Sequence, residues 1–146
     1  MLQEIINFVA INANLGTAGQ PTHEQLTAVK EAGYEVVINL LPSSSPNALA
    51  DEPAVVSSLG MEYIHIPVIW DQPTLSDLEQ FFQVMQQNQN RKVFVHCAMN
   101  MRVSAFVFLY RVKTQGTAPE EARATMLKIW EPNPTWQSFI ENCLRS

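Results

Sequence analysis

Long apolar runs are missing from this chain. Nowhere do about 20 apolar residues follow one another, so the sequence offers no membrane-spanning helix. The opening Met1-Leu2-Gln3-Glu4-Ile5-Ile6 has neither a basic stretch nor an apolar core of export-signal length, and the expected location is therefore the cytoplasm. Cations are scarce as well. Nine Lys and Arg stand against 14 Asp and Glu, a net charge of −5, with no basic cluster, which argues against nucleic acid or an anionic membrane as a partner. Cysteine is rare, and Cys97 and Cys143 lie far apart without metal-like spacing, which disfavours a structural disulfide. The three histidines are scattered and no acidic pair stands at ligand spacing, so neither a metal nor another cofactor is expected.

What is present is globular. Apolar residues make up 47% of 146 and charged residues 16%, the composition of one domain over 1–146. A chain of this size buries roughly 68–70% of its unfolded surface. Phe8 to Asn12 reads as a first strand, and Asn14-Leu15-Gly16 as the turn that ends it. Thr22 with Gln25 makes a capping box for a helix that Gly33 stops. Tyr34 to Leu41 is almost continuously apolar, as in a strand buried on both faces. Asp51 to Leu59 forms a short helix stopped by Gly60, and Met61 to Pro67 a further strand. Trp70 to Thr74 is a polar loop before a helix from Ser76 with Leu78, Phe81, Phe82 and Met85 on one face. Lys92 to Val95 is the next strand, and helices follow from Val103 to about Lys113, from Ala118 to before Pro132, and from Pro134 to Leu144. Alternation of this kind implies an α/β fold of three layers, a mostly parallel central sheet flanked by helices. In such sheets ligands bind beyond the carboxyl ends of the strands, where Cys97, Asp71 and the loop after Leu41 emerge.

The stretch from Lys92 to Ser104 carries the chemistry. A strand ends in His96-Cys97, the loop Ala98-Met99-Asn100-Met101 follows, and Arg102-Val103 opens a helix. Loop amides and the free N–H groups of a helix start form an anion site. A cysteine at its floor feels a field that favours the thiolate, the nucleophilic form. An Arg at the junction adds a planar fork for phosphate or sulfate oxygens and stabilises charge that develops on them.

These residues resemble the cysteine-dependent phosphatases of the tyrosine and dual-specificity superfamily, whose signature is His-Cys, a phosphate-binding loop and an Arg. The resemblance implies a dual-specificity-phosphatase-like fold and hydrolysis of a phosphomonoester through a phosphocysteine. Cys97 is then the nucleophile, and residues 98–103 with Arg102 bind the phosphoryl group. Four residues separate Cys97 from Arg102, one fewer than is usual in those phosphatases. Four is the usual count in rhodanese-type sulfurtransferases, whose Cys carries a persulfide. Similar shortened loops occur in a small bacterial phosphatase-like family of unassigned function, which Gly19-Gln20-Pro21-Thr22 through Leu40 also resembles. The expected partner is a phosphorylated small molecule or phosphoprotein, or a sulfur donor in the alternative.

Each residue also has a plain reading. Cys97 alone could be an inert buried thiol, and Arg102 a surface ion-pair member. The loop has no Gly, and Asn100 is its substitute because Asn tolerates positive φ. Met99 and Met101 line an apolar rim or fill the core. Asp71, 26 residues before Cys97, is the candidate general acid or else a solvated turn residue. Asp77 looks like an acid favouring a helix dipole. His96 is expected to set the loop conformation, His65 to be a satisfied core residue and His23 a surface one. Ser104 is a supporting residue, placed one position later than the Ser or Thr that many phosphatases carry after the Arg. Phosphatase, sulfurtransferase and inactive oxyanion-binding module all stay open.

Overall fold

The strand that delivers Cys97 is short and entirely buried, and the rest of the sheet is arranged about it. A computed structural model describes residues 1–146. β5 (Val93–His96) lies at the centre of a five-stranded sheet of order β1-β2-β5-β3-β4, the others being β1 (Val9–Asn12), β2 (Leu15–Ala18), β3 (Val36–Asn39) and β4 (Glu62–His65). β1 runs antiparallel to β2 and every other pair is parallel, with Val93 opposite Leu15 on one side and Val36 on the other.

Side chains alternate across this sheet as the pleat requires. Val36, Ile38, Val93 and Val95 face one apolar cluster, and Val37 and Phe94 face another. The smaller cluster lies under α1 (His23–Glu31) and α2 (Glu52–Ser58), with Ile5 from the N-terminal segment filling it. The larger lies under α3 (Leu75–Gln87), α4 (Met101–Lys113), α5 (Pro119–Leu127) and α6 (Pro134–Arg145). α4 is the inner helix of that layer. Eight consecutive residues from Val103 to Tyr110 are buried, as expected for a helix apolar on every side. None of these helices is long and apolar enough to cross a membrane.

Caps set the helix starts. Thr22 and Gln25 form the expected reciprocal capping box, and Thr74 and Asp77 form a second one. Asp77 therefore satisfies the Thr74 amide beyond favouring the dipole, and α3 begins at Leu75, one residue before the expected Ser76. The expected helix from Ala118 stops at Leu127, well short of Pro132.

Besides a 3-10 turn at Leu2–Glu4, one strand was not foreseen from the sequence. Leu15 to Ala18 is an inner strand and not the turn ending β1. Its Leu-Gly-Thr-Ala sequence has little intrinsic β preference, and tertiary packing dictates its form. A Cβ on Gly16 would sit 2.3 Å from the Tyr34 hydroxyl, so only Gly lets β2 pass that ring.

Candidate active site

Only Ala98, Met99 and Asn100 separate the Cys97 end of β5 from α4, because Met101 already belongs to the helix. Asn100 is the N-cap and has φ 67°, the left-handed conformation that the missing loop Gly would otherwise supply. It is fully buried. Its Nδ2 donates to the Asn7 carbonyl at 2.8 Å and to Thr17 Oγ1 at 3.1 Å, which offsets the cost of that backbone. The chain after β2 braces the loop from the other side. Gln20 donates its amide to the Ala98 carbonyl at 2.9 Å, and Asn7 Nδ2 donates to the Met99 carbonyl at 3.0 Å.

With its carbonyls held in this way, the loop keeps its donors free. The amides of Ala98, Met99, Met101, Arg102 and Val103 donate to no acceptor in the protein. The last three form the first turn of α4, where the partial positive charge of the helix is concentrated. Arg102 adds a full charge beside them. Its Nε is buried without a hydrogen-bond partner, no carboxylate pairs with it, and its guanidinium lies 5.1 Å from the centre of the Trp70 ring. An unpaired guanidinium stacked on an aromatic face keeps its edge free for an oxyanion.

A cleft of about 210 Å³ opens here, lined by Leu41, Ser45, Asn47 and Trp70 together with Ala98, Met99, Met101 and Arg102. Met99 is exposed, as a rim residue is, whereas Met101 is half-buried. Cys97 has no exposed surface. The loop residues that follow it form the cleft wall.

The remaining expected residues fall in different places. Asp71 is exposed and makes no hydrogen bond within the protein; its neighbour Trp70 lines the cleft but Asp71 does not. Ser104 is engaged away from the sulfur. Its hydroxyl donates to the Met101 carbonyl at 2.8 Å and accepts from Trp130 Nε1 at 2.9 Å, so it stiffens the first turn of α4 and its proton is not directed at the Cys97 sulfur. Val103 is buried and contributes only its amide. His65 is half-buried and its Nε2 meets the Leu41 carbonyl at 2.7 Å. His23 is on the surface, 2.8 Å from Asp51, and its hydrogen bond holds the Asp51 carboxyl below the usual range.

His96 is fully buried, and its Nδ1 lies 3.2 Å from the Cys97 carbonyl. Its Nε2 lies 2.5 Å from Glu52 Oε2, and Glu52 is as deeply buried. Glu52 was not legible as a site residue. An acid at the first position of a helix, after Asp51 and before Pro53, reads as a dipole-favouring surface residue.

The second cysteine contrasts with the first. Cys143 lies on the inner face of α6, where burial pushes its thiol up and the nearby Lys113 charge opposes only part of the shift.

Comparison with known proteins follows the same geometry. The family model described as "DSP-PTPase phosphatase fused to NAD+ Kinase" matches residues 9–138. No curated protein matches the chain at a significant level. Two crystal structures of a Shewanella putrefaciens CN-32 protein, described as "Putative phosphatase (DUF442)", are 37% and 36% identical, with TM-scores of 0.85 and 0.89. They cover 97% and 99% of this chain and 91% and 95% of their own. P. aeruginosa TpbA, 15% identical over 94% of this chain and 84% of its own with a TM-score of 0.75, shares the fold. With the match over residues 9–138, a 37%-identical relative covering almost the whole chain, and a five-stranded, mostly parallel sheet that ends in His96-Cys97, the chain belongs to the DSP-PTPase family of cysteine-dependent, dual-specificity-like phosphatases.

Proposed function

We propose that the protein hydrolyses phosphomonoesters, with Cys97 as nucleophile. The observation that carries this reading is the set of five acceptor-free amides in the loop after Cys97 and the first turn of α4, completed by the unpaired Arg102. Such donors suit the equatorial oxygens of a phosphoryl group in transit. The Cys97 thiolate attacks phosphorus and the ester P–O bond breaks, leaving phosphocysteine and an alkoxide or phenoxide that takes a proton. Asp71 is the candidate donor, from the loop that also carries Trp70. Water then attacks the phosphocysteine, releasing inorganic phosphate and restoring the thiolate.

The lining of the cleft supports one kind of ester over others. Arg102 is its only cation, and Leu41, Trp70, Ala98, Met99 and Met101 give the rest of the wall an apolar character. One phosphoryl group on an uncharged, partly apolar alcohol fits these walls better than a polyphosphate. The test is turnover of an aryl phosphate. Cys97→Ser abolishes it, and Asp71→Asn slows a poor leaving group by roughly 10²-fold or more while affecting an activated aryl ester less.

A rhodanese-like sulfurtransferase is the second reading, favoured by the four-residue spacing between Cys97 and Arg102. Cyanide-dependent turnover of thiosulfate, a sulfur-mass gain on Cys97 and no hydrolysis of any aryl phosphate would transfer the assignment to it.

A further inference from the structure

Behind the Cys97 loop, on the α1–α2 side of the sheet, lies a buried polar group that neither reading uses. Glu52 and His96 have no exposed surface. Glu52 Oε1 accepts from Gln20 Nε2 at 2.8 Å, and Glu52 Oε2 lies 2.5 Å from His96 Nε2. The other ring nitrogen, His96 Nδ1, is 3.2 Å from the carbonyl of Cys97.

Hydrogen-bond chemistry decides where the protons are. A carbonyl only accepts, so His96 Nδ1 carries a hydrogen. The short contact between Nε2 and Oε2 holds one more. That proton sits either on the ring, giving imidazolium and carboxylate, or on Glu52, giving two neutral groups. Gln20 donates to the same carboxyl, which favours its ionised form. Tyr63 on β4 is pushed up mainly by burial, and the Glu52 charge adds to the shift against the lowering by its hydrogen bond with Asn39. The exposed His23–Asp51 pair next to Glu52 closes on itself, and Arg102 pairs with no carboxylate. No other cation meets Glu52, and a buried carboxylate needs one.

We propose that Glu52 is a positioning residue for Cys97. By holding His96 as an imidazolium with Nδ1–H aimed at the Cys97 carbonyl, it fixes the start of the phosphate-binding loop and places positive charge beside the nucleophile. This rests on Cys97 being the nucleophile, which both readings above share. It does not depend on which substrate is attacked.

Glu52→Gln keeps the shape of the side chain and removes its charge. The thiolate absorbance of Cys97, read in the ultraviolet against a Cys97→Ser background, is expected to fall at pH 6 and to recover at alkaline pH. Turnover of an aryl phosphate is expected to fall ~10-fold at pH 6 through kcat, with KM little changed and the loss shrinking as pH rises, because only the thiolate reacts. Glu52→Asp, which keeps the charge, restores part of the low-pH rate. A Glu52→Gln protein whose thiolate profile overlays that of the wild type, or whose rate falls equally at every pH, overturns the proposal. Should Glu52→Gln not fold, nitrogen chemical shifts of His96 in the wild-type protein decide the matter: both ring nitrogens protonated at pH 7 supports it, and an unprotonated Nε2 refutes it. Absence of phosphatase turnover alone bears on the substrate assignment, since thiolate absorbance and ring protonation need no substrate.

Discussion

Asn100 shows how a single residue does two jobs in the loop. Its backbone takes the left-handed turn at φ 67°, and its buried amide ties that turn to Asn7 and Thr17. The two contributions are separable by substitution. Asn100→Gly keeps the backbone and loses the ties, costing about 1–2 kcal/mol for the hydrogen bonds. Asn100→Ala loses the ties and adds about 1 kcal/mol of strain. Urea denaturation should therefore rank the wild type above the Gly variant and the Gly variant above the Ala variant; an Ala variant at least as stable as the Gly variant contradicts this account. That Asn100 would replace the loop Gly was readable in the sequence, because residue type alone limits who tolerates positive φ. Its side-chain partners were not, since Asn7 and Thr17 lie 93 and 83 positions away.

Among the elements, α6 controls the loop that carries Trp70 and Asp71. Asn133 caps it, and Trp136, fully buried, donates Nε1 to the Trp70 carbonyl at 2.8 Å. Trp70 also packs 5.4 Å from Trp130 and 5.9 Å from Trp136, and Trp130 bonds Ser104 in the first turn of α4. Three tryptophans from three segments thus join the candidate acid loop to the start of α4. Trp136→Phe keeps most of the aromatic packing but leaves the Trp70 carbonyl without its donor. We expect a loss of about 1–3 kcal/mol in urea denaturation, with a larger proportional fall in kcat on esters that need an acid than on activated ones. Equal falls on both substrates would show that the tie serves stability alone.

Across the whole molecule, burial sets how stability answers to alkali. Tyr34, Tyr63 and Tyr110 are each raised above the ordinary 10.0, and Cys143 above 9.0, in every case chiefly by desolvation. The folded state therefore holds these protons more tightly than the unfolded chain does. Their contribution is complete below the unfolded values and is lost as pH rises through the folded ones. Thermal melting should be level from pH 7 to about 9 and fall steeply above about pH 10, and a melting temperature unchanged at pH 11 would contradict this.

Much of the molecule follows from local rules that a sequence carries on its face. Alternating apolar strands and capped helices specify an α/β domain, and His96-Cys97 with Arg102 at a strand-to-helix junction marks a candidate anion site, because periodicity, caps and donor chemistry act within a few residues. β2 was decided elsewhere. Its four residues become a strand only because β1 and β5 supply partners on both sides and Gly16 clears the Tyr34 ring. The same holds for Ser104, whose hydroxyl is taken by Met101 and Trp130, and for Glu52, which looks like a surface acid until the fold brings it against His96 from 44 positions away. Contacts of that span depend on how whole layers pack, and no local pattern encodes them.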